Sequence, residues 1–185
     1  MRPSHGRLSV FCGPMFAGKS TALLRAVREA ETLDGEAACL LLKPAMDGRH
    51  GNDRVGTHDG ELRAAMPVTQ MPDLASGVRH VFLDEVQFME PPWFAEGLGE
   101  SVEDLLRRGV SVTAAGLDMD AWGVPFQAVA TLLAMADSVF KLTARCAVCG
   151  APANMSRLHR DDAGGRVLLG GKDSYSPVCR DHHAR

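Results

Sequence analysis

Residues 7–33 read RLSVFCGPMFAGKSTALLRAVREAETL, and the fold turns on how they are parsed. Leu8, Val10 and Phe11 make a short apolar run stopped by Gly13-Pro14, the pattern of a buried strand. From Ser20 onward, Ala22, Leu23, Ala26, Val27 and Ala30 recur at helical spacing, with Arg25, Arg28 and Glu29 elsewhere around the wheel. The segment between them, residues 13–20, matches G-x-x-x-x-G-K-[ST] without a mismatch. Glycines let successive backbone N–H groups turn inward around phosphate oxygens, and a helix N-terminus adds positive potential. Lys19 would neutralise β/γ charge and the Ser20 hydroxyl would ligate Mg²⁺. A Gly-rich turn preceding Lys-Ser by chance is expected in about one chain of this length in a hundred. Gly13, Pro14, Met15, Phe16, Ala17, Gly18, Lys19, Ser20 and Thr21 are therefore the expected ATP-binding segment.

Further along, residues 37–42 read as a second buried strand closed by Lys43-Pro44, and residues 45–60, with four Gly and two His, as a surface loop. A helix or irregular segment follows, then strands over 80–83, 110–115 and 139–143 and helices over 93–108 and 126–135. Alternating strands and helices predict an α/β fold of the phosphate-loop NTPase type, a doubly wound and mostly parallel sheet with helices on both faces. After Ala144 the chain turns rich in Gly, Cys, His and Asp. We expect an ATP-binding domain over residues 1–144 and a small metal-stabilised lobe over 145–185.

The 185 residues are 45% hydrophobic and 23% charged, which excludes a disordered chain, a collagen and a disulfide miniprotein. A net charge of −3 gives no global attraction to nucleic acid or an anionic membrane, so phosphate affinity must be local. In the tail, Arg145, Arg157, Arg160, Arg166, Lys172 and Arg180 are offset by Asp161, Asp162, Asp173 and Asp181, and no row of stacking aromatics accompanies them. Neither nucleic acid nor membrane is an expected partner. The N-terminus lacks the apolar segment of a secretory signal, so a cytoplasmic, reducing location is expected.

Residues 81–85, VFLDE, place two carboxylates where a buried strand ends, at the carboxyl edge where open α/β sheets bind ligands. Asp84 is then the expected partner of Mg²⁺, and Glu85 a base that activates water in an ATPase or takes a proton from an acceptor hydroxyl in a kinase. The competing reading, a carboxylate pair capping the next helix, is structural only. Cys146-Ala-Val-Cys149 and Cys179-Arg-Asp-His182 form a CxxC and a CxxH separated by 29 residues. Together they make a closed Cys₃His set for structural Zn²⁺; His183 could replace His182, but the two-residue spacing favours His182. A redox CxxC is the alternative. Cys12 and Cys39 are expected to be buried in strands.

Taken in order, GPMFAGKST at 13–21, KPAMDGR at 43–49, THD at 57–59, FLDEVQF at 82–88, GLD and PF within 116–126, CAVCGAPA at 146–153 and LLGGKDSYSPVCRDHH at 168–183 resemble the zinc-containing type II thymidine kinases. The phosphate loop and zinc motif are each shared with other proteins, whereas the ordered set is specific. The resemblance implies transfer of the γ-phosphoryl group of ATP to the 5′-hydroxyl of thymidine or deoxyuridine, with Mg²⁺, in a homotetramer. It implies Glu85 as the general base and Asp47, Arg49, Asp84 and Gln87 as ATP and Mg²⁺ partners beside the phosphate loop. Met15, Phe88, Leu117, Phe126, Leu168, Leu169, Gly170 and Tyr175 are implied as nucleoside contacts, the last four on a lasso loop between the zinc ligands. Without the resemblance, core packing is the better reading of Met15, Leu117 and Phe126.

One position departs from the family pattern. Where the family usually carries an aromatic, this chain has Ala121, and Trp122 follows. Either Trp122 takes the role through a local shift or the pocket is wider on that side. Two other classes remain open at this level: a plain ATPase using Glu85 on water, and a nucleotide-gated zinc protein.

Overall fold

The computed structural model describes residues 5–49, 51–57, 60–95, 97–159 and 174–183. Its centre is a six-stranded sheet of β1 (Leu8–Cys12), β2 (Cys39–Pro44), β5 (Met66–Val68), β6 (His80–Leu83), β7 (Ser111–Gly116) and β8 (Ser138–Lys141). The order is β5-β2-β6-β7-β1-β8, and every neighbouring pair is parallel. The helices are α1 (Lys19–Asp34), α2 (Leu98–Arg107) and α3 (Gln127–Met135).

Strand alternation divides the apolar residues between two faces. Leu8, Val10, Cys12, Val81, Leu83, Val112 and Ala114 join a cluster with Leu98, Val102, Leu105 and Leu106 of α2 and Val129 and Leu132 of α3. Phe82, Ala115 and Leu41 point the other way, to Leu23, Leu24, Val27 and Ala30 of α1. The α1 set falls on one stripe of the helix, as does the α2 set, so each helix buries one apolar face. Each fully buried Leu or Val is worth about 1.5–3 kcal/mol relative to exposure. Helices on both sides of a parallel sheet are the architecture expected from the sequence.

Several boundaries differ from expectation. The segment read as helical or irregular contributes a sixth strand, β5, on the sheet edge, where Pro67 opposite Lys43 costs the sheet no interior hydrogen bond. The loop over 45–60 contains β3 (Arg54–Gly56), paired antiparallel with β4 (Leu62–Ala64), and Val55 of this hairpin packs with the α1 cluster. The helix expected from 93 starts at Leu98, because the Ala95 N–H donates to Thr69 O and Gly97 stands at the cap. Strand β8 ends at Lys141 rather than 143. Cys12 is fully buried as expected, but Cys39 is only half-buried, because it begins β2 beyond the three-residue reach of β5.

The C-terminal segment folds around its own small cluster of Cys146, Ala153, Met155, Val178 and Cys179, with Met119 and Ala144 against it. It is built from β9 (Ala144–Arg145) paired with β10 (Pro152–Ala153), and β11 (Met155–Leu158) paired with β12 (Tyr175–Val178). No helix among the described residues is long and apolar enough to cross a membrane.

Candidate active site and metal centre

The phosphate loop leaves the carboxyl end of β1 and enters α1 at Lys19, as its sequence requires. Two glycines are obligatory for different reasons. Gly13 has φ 141°, and a Cβ there would lie 2.3 Å from Leu142 O; Gly18 has φ 81° and starts the helix in the left-handed region. Phe16 shares that region with φ 64° without a glycine's freedom, a conformation costing about 1–3 kcal/mol and concentrated at functional sites. Lys19 is buried and donates from Nζ to Pro14 O at 2.7 Å, inside its own loop. Burial lowers its pKa, opposed by the carboxylates of Glu85, Asp84 and Asp118.

Asp84 follows β6, one strand removed from β1, and faces Ser20, whose Oγ donates to the carboxylate at 3.1 and 3.2 Å. The pair is the hydroxyl and carboxylate expected to share Mg²⁺. Burial, reinforced by the charge of Glu85, pushes the Asp84 carboxyl up to about 7. A carboxyl that resists ionisation in the free site is one that a divalent cation would convert to its charged form.

Glu85 turns the chain with φ 53° and is itself buried. Arg49 Nη2 meets its Oε1 at 2.6 Å, and the Gln87 amide donates to its Oε2. Arg49 is in turn held by Asp47, Nε to Oδ1 at 2.8 Å, and the neighbouring Glu85 charge raises the guanidinium's pKa above its ordinary value. Asp47 stays below the usual carboxylate range because the Arg49 contacts outweigh burial. Gln87 Oε1 accepts the Leu117 N–H at 2.9 Å, tying the acidic pair to the segment after β7. Thus Asp47, Arg49, Glu85 and Gln87, from two separate stretches of sequence, form one hydrogen-bonded chain.

Two buried charged residues near this network escaped the sequence reading. Lys43 is fully buried, lies 3.5 Å from Asp47 Oδ2 and donates to the carbonyls of Gly51 and Arg54, so it braces the turn that presents Arg49. Its i,i+4 spacing from Asp47 was the available signal. Asp118 is buried with Lys141 Nζ at 2.9 Å, a pairing across two strands that no local spacing announces.

The residues expected as pocket walls lie on several different elements of the fold. Met15 is buried in the phosphate loop, and its N–H donates to Ser156 Oγ of β11 at 3.0 Å. Leu117 packs partly buried against the main core, and Phe126 lies within that core at the cap of α3. Phe88 is buried and edge-on to Trp93, with ring centroids 6.0 Å apart. Tyr175 is half-buried on β12. Leu168, Leu169 and Gly170 lie outside the described residues, as do His58 and Asp59. Thr21 is exposed on α1. Trp122 is 51% exposed and, with Met119, Gly123, Met155, Arg180 and His183, lines a cavity of about 230 Å³ on the side of the C-terminal lobe.

Cys146, Cys149, Cys179 and His182 bring their ligand atoms within 4.8 Å of one another. Cys149 and Cys179 sulfurs are 3.8 Å apart, and Cys146 Sγ is 3.7 Å from His182 Nδ1. A tetrahedron with metal–sulfur bonds of about 2.3 Å has sulfur–sulfur edges of about 3.8 Å, so the donor set fits Zn²⁺. Although burial pushes the Cys146 thiol up, backbone N–H groups of Cys179, Cys149 and Val148 bring it down to about 6, towards the thiolate a metal needs. The first knuckle closes through Gly150, whose N–H donates to Cys146 O at 2.8 Å and whose φ of 74° a side chain would strain. His183 stands apart: its Nε2 meets Ala121 O at 2.8 Å.

The thymidine kinase family model matches residues 6–183, nearly the whole chain. This chain belongs to the thymidine kinase family. It is therefore an ATP-dependent phosphotransferase acting on thymidine, and the family match covers both the phosphate loop and the Cys₃His cluster. In this thymidine kinase the four-ligand cluster takes three of the five cysteines and accounts for the odd count without a disulfide.

Proposed function

We propose that Glu85 takes the proton of the nucleoside 5′-hydroxyl while the γ-phosphoryl group of ATP passes to that oxygen. In this reading the 5′ oxygen forms a bond to the γ phosphorus, the bond to the β-phosphate oxygen breaks, and ADP leaves. The proton goes to the Glu85 carboxylate. The observation that carries it is the two-sided grip on Glu85: Arg49 on one oxygen and Gln87 on the other, at a buried position next to the acidic partner of Ser20. Such a carboxylate is oriented before substrate arrives, which is what a positioned base requires.

Lys19 exchanges its bond to Pro14 O for phosphate oxygens, and the residues from Phe16 to Thr21 supply backbone N–H groups. Ser20 and Asp84 would hold Mg²⁺, which would supply positive charge to the phosphates of ATP. Arg49, oriented by Asp47, reaches the transferred phosphoryl group, and its contact with Glu85 keeps that carboxylate from approaching water when no nucleoside is bound. Met15, Phe88, Leu117, Phe126 and Tyr175 form the apolar surround of the base, completed by Leu168, Leu169 and Gly170 of the lasso; deoxyuridine is the second acceptor. Zinc is structural, because four protein donors leave no open position.

Division at about Ala144 into an ATP-handling sheet and a zinc lobe fits the separate cluster around Cys146 and Val178. Homotetramer assembly and a cytoplasmic location complete the proposal. Label transfer from γ-labelled ATP to thymidine, run beside a control without nucleoside, tests the chemistry. Release of labelled phosphate at equal rate without thymidine would show water as acceptor. Sedimentation of the purified enzyme tests the tetramer.

A further inference from the structure

We propose that His183, which follows the metal ligand His182 and lies outside the metal cluster, is a positioning residue for nucleoside binding. It is the donor that couples the metal-anchored lobe to the loop running from Leu117 to Phe126.

The loop is stiff within itself. Asp120 Oδ1 accepts the N–H groups of Trp122 and Val124 at 3.0 and 2.9 Å, the Asp120 N–H donates to Val124 O, and the Phe126 N–H donates to Asp118 O. Met119 and Pro125 form a bridge across its neck. Its base is pinned by Leu117 N–H to Gln87. Nearer its base Met119 packs against the C-terminal cluster and Asp118 pairs with Lys141, and at its tip Ala121 O meets His183 Nε2 at 2.8 Å. Because a carbonyl only accepts, Nε2 carries the proton.

The donor is itself fixed. The Arg180–His182 turn follows Cys179 directly, His182 N–H donates to Cys179 O, and His183 N–H donates to Arg180 O. With Cys179 and His182 in the metal cluster, the ring of His183 is carried on the ligand turn. Trp122, the next residue, lines the same cavity as His183, Met155 and Arg180. The inference rests on the assignment of Leu117 and Phe126 to the nucleoside wall.

The test uses the zinc-loaded enzyme with His183→Phe, His183→Ala and His183→Gln, since a Gln amide can place a donor near the Nε2 position. Loss of one positioning hydrogen bond should raise the KM for thymidine roughly three- to tenfold in the Phe and Ala variants. The KM for ATP and kcat should stay within about twofold, and bound zinc should match the wild type. Gln should restore the thymidine KM. Unchanged kinetics in Phe and Ala would overturn the proposal. So would equal loss in Gln, or loss of zinc together with a parallel rise in both KM values, which would mark a purely structural role. Leu117→Ala is measured in the same assay: an unchanged thymidine KM there would overturn the wall assignment, separately from any effect at His183.

Discussion

Replacing Asp84 with Asn should stabilise the free protein while crippling the enzyme, and the two effects have one origin. In the free site burial and the Glu85 charge lift the Asp84 carboxyl from an ordinary 3.8 to about 7. An acid raised in the folded state contributes stability while protonated; that contribution is lost as pH climbs from the unfolded value near 3.8 through the folded one. At about 1.4 kcal/mol per pH unit, the wild type should lose about 2–3 kcal/mol relative to Asp84→Asn between pH 5 and pH 8. An Asn at 84 keeps an oxygen for the Ser20 hydroxyl, so the variant loses the charge and not the contact. Urea unfolding at pH 5, 6, 7 and 8, with zinc present and Mg²⁺ and ATP absent, measures the gap, corresponding to a relative Tm change of roughly 4–12 °C for a chain of this size. Adding Mg²⁺ and ATP should reverse the order, stabilising the wild type more than the variant. A gap that stays constant or narrows with rising pH would refute a buried, cation-awaiting carboxyl at this position.

Glu85→Gln should retain ATP binding and lose about 10²- to 10⁴-fold in turnover, measured by steady-state transfer to thymidine; unchanged turnover would remove Glu85 as the base. Cys149→Ser, or zinc chelation, should release metal and destabilise the C-terminal lobe, read as faster amide exchange over β11 and β12, while wild type isolated without zinc by atomic absorption would reject the site. Gly13→Ala places a carbon 2.3 Å from the Leu142 carbonyl, in a backbone region that side chains avoid. We expect at least about 2 kcal/mol of destabilisation by urea unfolding together with weakened ATP binding, and a neutral result would mean the loop is softer than its geometry implies.

Local chemistry carried much of this protein into view. The phosphate loop was readable because Gly13 and Gly18 answer backbone demands and Lys19 and Ser20 answer phosphate demands within eight residues. The sheet was readable because buried parallel strands are apolar runs. Strand β5 was hidden by Pro67, which suits only an edge, and the true start of α2 by a long-range bond from Ala95 to Thr69 that no periodicity contains. The half-exposure of Cys39 depends on how far a neighbouring strand extends, which is likewise a nonlocal fact.

The four metal ligands were also legible as residue types, since two-residue spacing suits one face of a tetrahedron. Spacing already favoured His182 over His183, and the fold agrees: His182 turns Nδ1 to the cysteines and His183 turns Nε2 to Ala121. The sequence placed Asp84 and Glu85 at a strand end with Gln87 two residues on, but the grip of Arg49 on Glu85 exists only because a crossover brings the turn after β2 to the end of β6, and the segment after β7 fixes Gln87 through the Leu117 N–H. Residue identity and short spacing thus determined which chemistry is available, because backbone geometry and ligand preference act over a few residues. Tertiary structure decided which groups meet, because contacts between distant segments are set by strand order and packing and leave no mark in local pattern.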